Sequence, residues 1–153
     1  MNTFYNDKAR GKRGEKLVFD ALTAKGNKLI DLTEDPVAQE KDIDFEVIQK
    51  SGYHTSLEVK SDFASERTGN LFIELENTNP RAKKRAGWYY YTQCEYICFV
   101  QETARKGYIV LFEDLKKAVK ENKCRTAFSD NMVGRLLPLS KLAELESYYC
   151  FEL

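Results

Sequence analysis

The spacing of apolar residues changes along the chain from a helical period to a strand period. Between residues 14 and 25 the apolar side chains recur every three or four positions, and Gly26 follows them as a stop signal. This pattern predicts an amphipathic helix. Residues 42–47 and 56–60 then alternate between apolar and polar side chains, on either side of Ser51-Gly52. The alternation predicts a β-hairpin.

The rest of the chain continues this mixture of helix and strand patterns. The predicted elements, in chain order, are strands at 71–76, 96–100 and 108–112, a helix at 113–122, a strand near 132–139 and a helix that opens at Ser140. The strand at 71–76 is expected to continue the sheet that the hairpin begins. We therefore predict an α/β fold in which helices flank a central mixed β-sheet.

Length and composition favour one soluble globular domain over residues 1–153, because two halves of this chain would each be too small to bury a good core. We expect the core at about residues 10–100 and a C-terminal α/β extension at 101–153. No apolar run approaches the roughly 18 residues of a membrane span, and the N-terminus lacks the apolar core of a secretory signal. We expect a cytoplasmic protein without a membrane partner.

The cysteines favour a reduced chain over a cross-linked one. They form no CxxC pair, and the one histidine, His54, is far from them in sequence. We therefore expect buried or tolerated thiols, and neither a disulfide framework nor a zinc site. The four residues are Cys94, Cys98, Cys124 and Cys150.

Charge is balanced overall but clustered locally. The net charge is zero, which argues against a protein that coats nucleic acid by bulk charge. Residues 8–16 nevertheless hold five cations against one acid, and residues 81–85 hold four cations and no acid. Such patches can contact a phosphate backbone, although solvated surface is the ordinary alternative. The nucleic-acid-binding candidates are Lys12, Arg13, Lys83, Lys84 and Arg85.

The polar face of the predicted hairpin carries the candidate chemistry. Asp44, Glu58 and Lys60 lie opposite an apolar face that consists of Ile43, Phe45, Val47, Leu57 and Val59. Two carboxylates concentrated beside a buried face are costly to leave unpaired, but they suit a hard cation such as Mg²⁺.

The register of the hairpin decides whether these side chains meet. Asp44 and Glu58 share a face only if the numbers of paired residues add to an even total. A two-residue turn at Ser51-Gly52 gives an odd total, whereas a three-residue loop with Gly52 at positive φ gives an even one. The site therefore requires the longer, bulged turn or a bulge elsewhere in the pair.

The sequence resembles the PD-(D/E)xK nuclease superfamily, which has the restriction-endonuclease-like fold. The resemblance lies in Asp44, followed after thirteen residues by Glu58-Val59-Lys60. Gly11-Lys12-Arg13-Gly14-Glu15 is similar to the first helix of the Holliday-junction-resolvase-like branch, and residues 68–74 are similar to phage-encoded members. Ile43 stands where the family has proline. Other [DE]-x-K tripeptides in the chain lie on or beside a predicted helix.

The resemblance implies a metal-dependent nuclease that hydrolyses DNA phosphodiester bonds, is structure-selective or end-processing, and can form a homodimer. Asp44, Glu58 and the Val59 carbonyl are the expected ligands of Mg²⁺, for which Mn²⁺ can substitute. Glu15 is implied as a further ligand, or alternatively it stabilises the first turn of its helix. Lys60 is expected to orient the attacking water or to stabilise charge in the transition state. The alternative function is a catalytically silent domain that binds nucleic acid or a protein partner.

Several other residues have weaker functional interpretations. Glu74 and Asn70 could line the same cleft, although strand positions of this kind are more often plain surface. The aromatic run Trp88–Tyr91 could stack on unpaired bases, but core packing is the commoner role. His54, near the hairpin tip, is expected to be an exposed turn residue.

Overall fold

The strands form two β-sheets in the computed structural model, which describes residues 3–153 and side chains from residue 8 onward. The larger sheet contains, in spatial order, β1 (Lys28–Asp31), β2 (Phe45–Ile48), β3 (His54–Ser61), β5 (Tyr96–Gln101), β6 (Lys106–Leu111) and β9 (Tyr149–Glu152). Within it β3 and β5 are parallel and the other neighbours are antiparallel. The second sheet contains β4 (Asn70–Asn77), β8 (Met132–Pro138) and β7 (Arg125–Ser129).

Helices cover these sheets and connect their strands. The described helices are α1 (Thr3–Ala24), α2 (Pro36–Glu40), α3 (Ala64–Thr68), α4 (Trp88–Tyr91), α5 (Phe112–Glu121) and α6 (Leu139–Leu142). None of the described helices is both long and apolar enough to cross a bilayer. The predicted α/β class, with a central mixed sheet between helices, is confirmed.

Apolar side chains on the two faces of the larger sheet belong to different cores. Helix α1 packs on one face, where its apolar stripe meets the inward residues of the hairpin and of β5. That core contains Val18, Leu22, Phe45, Val47, Leu57, Val59, Cys98, Val100 and Phe151. The opposite face packs against the second sheet, α4 and α5, around Leu71, Ile73, Trp88, Ile97, Phe99 and Leu115. Strand β5 is buried on both faces, as its continuous apolar run predicts.

The hairpin has the register that the candidate site requires. Phe45 pairs with Leu57 and Ile48 with His54, so the paired numbers add to an even total. The Gln49 N–H donates to the Tyr53 carbonyl across a short loop in which Gly52 has a φ of 85°. A positive φ costs glycine little, and it lets the chain reverse with the odd number of loop residues that keeps the register. The prediction of a bulged turn is confirmed.

The structure differs from the sequence prediction in how the later strands pair. Strand β4 does not continue the hairpin's sheet, because it pairs with β8 in the second sheet. The sequence pattern does not predict strands β1, β7 and β9 or helices α2, α3 and α4. Ile43 packs with the core of the second sheet and not with the apolar face of the hairpin, because it precedes β2.

Strand pairing joins the parts of the chain on either side of residue 100. Strands β6 and β9 extend the larger sheet beyond β5, while β7 and β8 complete the second sheet around β4. The residues predicted as a C-terminal extension, 101–153, therefore supply strands to both sheets. The cysteines are free thiols, as expected: Cys94, Cys98 and Cys124 are buried and Cys150 is exposed.

Gly87 provides a test of how α4 packs on the second sheet. A Cβ atom at this position would meet the backbone of Glu74 and would lie 2.7 Å from the Leu75 carbonyl carbon. We expect Gly87→Ala to lower the free energy of unfolding by roughly 1–3 kcal/mol, because backbone cannot move aside as a flexible side chain can. Each kcal/mol corresponds to a fall of about 2–4 °C in Tm for a domain of this size, which calorimetry measures.

Gly11→Ala is the matched control for this substitution. The added Cβ would lie 3.8 Å from the Glu15 side chain, which is an ordinary contact, within helix α1. Alanine should stabilise that helix by up to about 1 kcal/mol relative to glycine. A Gly87→Ala protein as stable as the wild type would contradict the close approach of α4 to β4.

Candidate active site

Asp44 lies where the hairpin begins, immediately before β2. Its N–H donates to the Leu57 carbonyl at 3.0 Å, and its carboxylate Oδ2 accepts the Val59 N–H at 2.8 Å. The side chain therefore takes the place that a backbone carbonyl would have in a regular ladder. The strand alternation breaks at this point, because Ile43 and Phe45 enter different cores. Asp44 is thereby fixed at the edge between the two faces.

Glu58 is the carboxyl neighbour of Asp44 on β3, and its residue is buried. Burial raises the pKa of Glu58 well above its usual range, and the negative charge of Asp44 raises it further, while Lys60 opposes both effects. Burial also raises the pKa of Asp44, against a hydrogen bond from the Val59 N–H. Desolvated carboxyls so placed that the charge of Asp44 raises the pKa of Glu58 form a place where a cation would relieve repulsion.

Lys60 lies two positions beyond Glu58 on the same face of β3. Its ammonium is 2.6 Å from Glu58 Oε1 and 3.0 Å from Asp42 Oδ2, and the side chain is 21% exposed. Although burial lowers the pKa of Lys60, the charges of Glu58 and Asp42 raise it above its ordinary value. The two carboxylates therefore favour the charged form of Lys60.

Glu58 and Lys60 point toward the second sheet. The cluster that they form with Asp42 and Asp44 therefore lies in a cleft and not on an open sheet face. The Lys60 ammonium lies 5.4 Å from the centre of the Trp88 ring, and that ring belongs to the neighbouring core. Burial raises the pKa of Glu74 on β4, with Lys60 lowering and Asp42 raising it. Burial and the charge of Asp42 raise the pKa of Tyr91 to about 12. Glu74 and Tyr91 are therefore electrostatic neighbours of the cluster.

Asp42 is the site residue that the sequence prediction missed. It contacts Lys60 through both carboxylate oxygens, at 3.1 and 3.0 Å. The available signal was its position two residues before Asp44 in the same alternating run. That signal does not distinguish a side chain in the cleft from one on the surface, and the contact depends on a left-handed backbone at Asp42.

Glu15 approaches the site from helix α1. Burial raises its pKa to about 7, and the negative charge of Asp44 adds to the shift, while Lys12 opposes it. Glu15 is therefore a neighbour of Asp44, on the side of the hairpin that α1 covers. Its position in the middle of a 22-residue helix removes the alternative of first-turn stabilisation.

The two nucleic-acid-binding candidates on α1, Lys12 and Arg13, are already paired on the surface. Lys12 makes an ion pair with Glu34 at 3.1 Å, and Arg13 makes one with Glu102 at 2.8 Å. Both residues lie within three positions of Glu15 on the helix. Their role in nucleic-acid binding stays a prediction.

The basic loop at 81–85 borders a groove beside the site. A cavity of about 290 Å³ is lined by Gln39, Glu74, Asn77, Ala82, Lys83, Lys84, Ala86 and Tyr91. The Lys84 ammonium lies over the Tyr91 ring at 4.0 Å and donates to the Glu40 carbonyl at 3.2 Å. Arg85 lies 3.8 Å from Glu76 and is largely exposed. The groove therefore extends from Lys83 and Lys84 to Glu74, which borders the acids around Lys60.

The weaker candidates separate into core and surface residues. Trp88 is buried, so it packs in the core, whereas Tyr90 in the same helix is 66% exposed. Asn70 is used locally, since its amide donates to the Thr68 carbonyl at 2.8 Å. His54 is exposed at the start of β3 and contacts Glu46, as expected for a residue at the hairpin tip.

The donor set suits a small hard cation. Within the part of the chain whose side chains are described, no three His, Cys, Asp or Glu residues are grouped as a ready-made metal site. Mg²⁺ commonly uses only one or two protein carboxylates and completes its shell with water and substrate phosphate. Asp44 and Glu58 supply that number, and the acids of the site, which also include Asp42, Glu15 and Glu74, outnumber the lysines beside them, Lys60 and Lys12. The residues present therefore fit a divalent cation.

Comparison with solved structures identifies the fold. The chain is similar to a bacterial homing endonuclease, I-Ssp6803I, with a TM-score of 0.52 and 19% identity over 69% of each chain. It shares its fold with a nuclease. A nuclease from a fusselovirus aligns over 86% of this chain and 84% of its own, with 18% identity and a TM-score of 0.45. No protein-family model and no curated protein matches the sequence. Membership of the PD-(D/E)xK superfamily stays a prediction.

Lys60→Met tests whether the lysine neutralises the buried acids. We expect the free energy of unfolding to fall by roughly 3–5 kcal/mol without metal, because Asp42 and Glu58 lose their shared cation. Urea denaturation measures the change. Lys16→Met is the control, because the Lys16–Asp20 pair is exposed and should contribute only about 0–1 kcal/mol. Equal effects of the two substitutions would show that the Lys60 pair is no more than a surface contact.

Proposed function

We propose that this protein is a metal-dependent nuclease that hydrolyses DNA phosphodiester bonds. The observation that carries the proposal is the convergence of these side chains on β3: the Asp44 carboxylate accepts the Val59 N–H at 2.8 Å, directly beside Glu58, and the Lys60 ammonium lies 2.6 Å from Glu58 Oε1. The fold is shared with a homing endonuclease. The sequence resemblance to PD-(D/E)xK nucleases names the same three residues. Geometry, fold and sequence motif therefore support one site.

The roles of the residues follow from their charge and position. A bound Mg²⁺ would polarise the scissile phosphate and lower the pKa of a coordinated water. Asp44 and Glu58 would hold the cation, with the Val59 carbonyl as a third ligand and Glu15 contributing directly or through water. Lys60 would stabilise negative charge that develops on the phosphate, because its carboxylate neighbours keep it protonated. Mn²⁺ is expected to substitute for Mg²⁺.

The substrate proposal depends on where the cations lie. A protein of zero net charge cannot bind DNA by bulk attraction, so contacts to phosphate must come from local patches. The groove between Glu74 and the loop at 81–85 places Lys83 and Lys84 beside the acidic cluster. We propose that this loop binds backbone phosphates next to the bond that is cut. Binding confined to the cutting site suits a structure-selective or end-processing enzyme better than one that tracks long duplexes.

Asp44→Asn and Glu58→Gln test the catalytic assignment. Each keeps the size of the side chain but removes a negative charge that would hold the metal. We expect Mg²⁺-dependent cleavage to fall at least about a hundredfold, because metal activation supplies several kcal/mol and each 1.36 kcal/mol is tenfold in rate. The measurement is a cleavage assay on branched, flapped, single-stranded and duplex DNA, with and without Mg²⁺.

Asp20→Asn is the matched control, since it removes an exposed acid from the same fold. Its cleavage rate should equal that of the wild type. Wild-type rates in Asp44→Asn and Glu58→Gln would leave the hairpin with a structural role alone. A wild-type protein that binds DNA but cuts none of the substrates would instead support the catalytically silent alternative.

Charge reversal in the loop at 81–85 tests the proposed DNA contact. Replacement of Lys83, Lys84 and Arg85 by Glu should weaken binding to all DNA sequences alike. The slope of log K against log salt should fall by about one for each phosphate contact that is lost. Fluorescence anisotropy across a salt series, with cleavage-inactive Asp44→Asn as the background, measures both quantities.

The control for this experiment reverses three exposed lysines elsewhere, namely Lys25, Lys106 and Lys120. Their reversal changes net charge by the same amount without altering the groove beside the site. If both triple variants lose affinity and salt slope equally, the loop has no specific part in DNA binding.

A further inference from the structure

The contacts of Lys60 are divided unequally between two carboxylates. An ammonium has three N–H donors and no acceptor. The Lys60 Nζ lies 3.1 and 3.0 Å from the two oxygens of Asp42 and 2.6 Å from Glu58 Oε1. Asp42 therefore receives two of the three donor contacts, although the mechanism above gives it no part.

The backbone around Asp42 is held from outside the site. Its φ is 58°, a left-handed conformation that aspartate tolerates better than most residues other than glycine. Its N–H donates to the Gln39 carbonyl at 3.2 Å, and its own carbonyl accepts the Thr92 hydroxyl at 3.3 Å. This left-handed residue is where the chain leaves helix α2, because the following N–H, that of Ile43, donates to the Ala38 carbonyl at 3.1 Å as in the usual ending of a helix. The end of α2 therefore fixes the position from which the Asp42 side chain reaches the lysine.

Thr92 links this turn to the aromatic helix α4. The residue follows Tyr91 directly, and its N–H donates to the Trp88 carbonyl at 2.9 Å. The same short segment therefore contacts the Asp42 backbone and carries the Trp88 ring that lies near the Lys60 ammonium. Lys60 is surrounded by groups whose positions do not depend on Glu58.

A metal ion bound to Glu58 would weaken the contact between Glu58 and Lys60. A dication would draw charge from the carboxylate and would repel the ammonium beside it. A buried ammonium without a counter-charge is unstable in place, so the lysine would leave the cleft unless a second acid held it. Asp42 is the second acid in contact.

We propose that Asp42 is a positioning residue, which keeps the Lys60 ammonium over Trp88 and beside the substrate phosphate when Glu58 is engaged by the metal ion. The part that concerns metal and substrate rests on the proposed function. The part that concerns Lys60 is independent of it, because Asp42 must hold the ammonium whenever the negative charge of Glu58 is lost for any reason.

Trp88 provides a local probe of the ammonium. It is the one tryptophan of the chain, and its ring centre lies 5.4 Å from Lys60 Nζ. A cation at this distance alters the electric field across the indole, so its departure shifts the fluorescence emission. Lys60→Met defines the emission of the ring without the ammonium.

The metal-free arm uses Glu58→Gln in place of a bound cation. We expect Glu58→Gln alone to keep the wild-type emission, because Asp42 still holds the ammonium. Adding Asp42→Gly should move the emission to the Lys60→Met value, and glycine preserves the positive φ. Asp42→Asn, of nearly the same size as aspartate, should shift the emission in the same direction. Emission of the double variant equal to that of Glu58→Gln would overturn the proposal, as would a full shift in Glu58→Gln alone.

The kinetic arm measures cleavage of the best DNA substrate at saturating Mg²⁺. Asp42→Gly should lower kcat by roughly 10–100-fold with KM unchanged, as loss of an outer-sphere partner commonly does. Asp20→Asn should change neither kcat nor emission. Recovery of Asp42→Gly activity at higher Mg²⁺ would make Asp42 a metal ligand and overturn the positioning role. A wild type that cuts no DNA would remove the proposed function, while the metal-free emission still decides whether Asp42 holds Lys60.

Discussion

The interaction on which the site depends is the contact of one lysine ammonium with carboxylates between two packed sheets. Lys60 and Glu58 occupy the face of β3 that points toward the second sheet, where Trp88 and other apolar side chains form a core. Charges in such surroundings are costly unless they are paired, and their mutual interactions are strong. The acids and the lysine therefore stabilise one another. Because the acids are in excess, a further cation would be stabilised there too.

The backbone meets this requirement through two local irregularities. Asp44 departs from the regular ladder by accepting the Val59 N–H with its carboxylate, at 2.8 Å. Asp42 adopts a left-handed conformation just before it, with a φ of 58°. Between them the chain changes from one core to the other, since Ile43 and Phe45 pack on opposite sides. The same few residues that end the strand alternation thus bring two acids to the edge of the cleft.

Much of the local structure could be predicted from sequence, because it depends on periodicity over short stretches. The helix before Gly26, the hairpin with its even register, the buried strand β5 and helix α5 follow from spacing and turn chemistry. The partner of β4 could not be predicted, because β8 lies about 60 residues further on and strand pairing over that separation leaves no local signal. Without the second sheet, the sequence predicts that the polar face of the hairpin is exposed to solvent. Neither the contact of Lys60 with Trp88 nor the role of Asp42 can then be inferred.

The parallel register of β3 and β5 explains why the charged pair lies at the border of a hydrophobic layer. Glu58 is paired with Ile97 and Lys60 with Phe99, so the charged row on β3 continues as an apolar row on β5. One side of the cluster therefore borders a packed interior, while the other opens to the groove beside Glu74 and the loop at 81–85. A low-dielectric wall strengthens the pull of the carboxylates on any cation. It also makes carboxylates without a counter-charge costly for the fold, so the stability of this cleft and any attraction it exerts on a cation have the same physical origin.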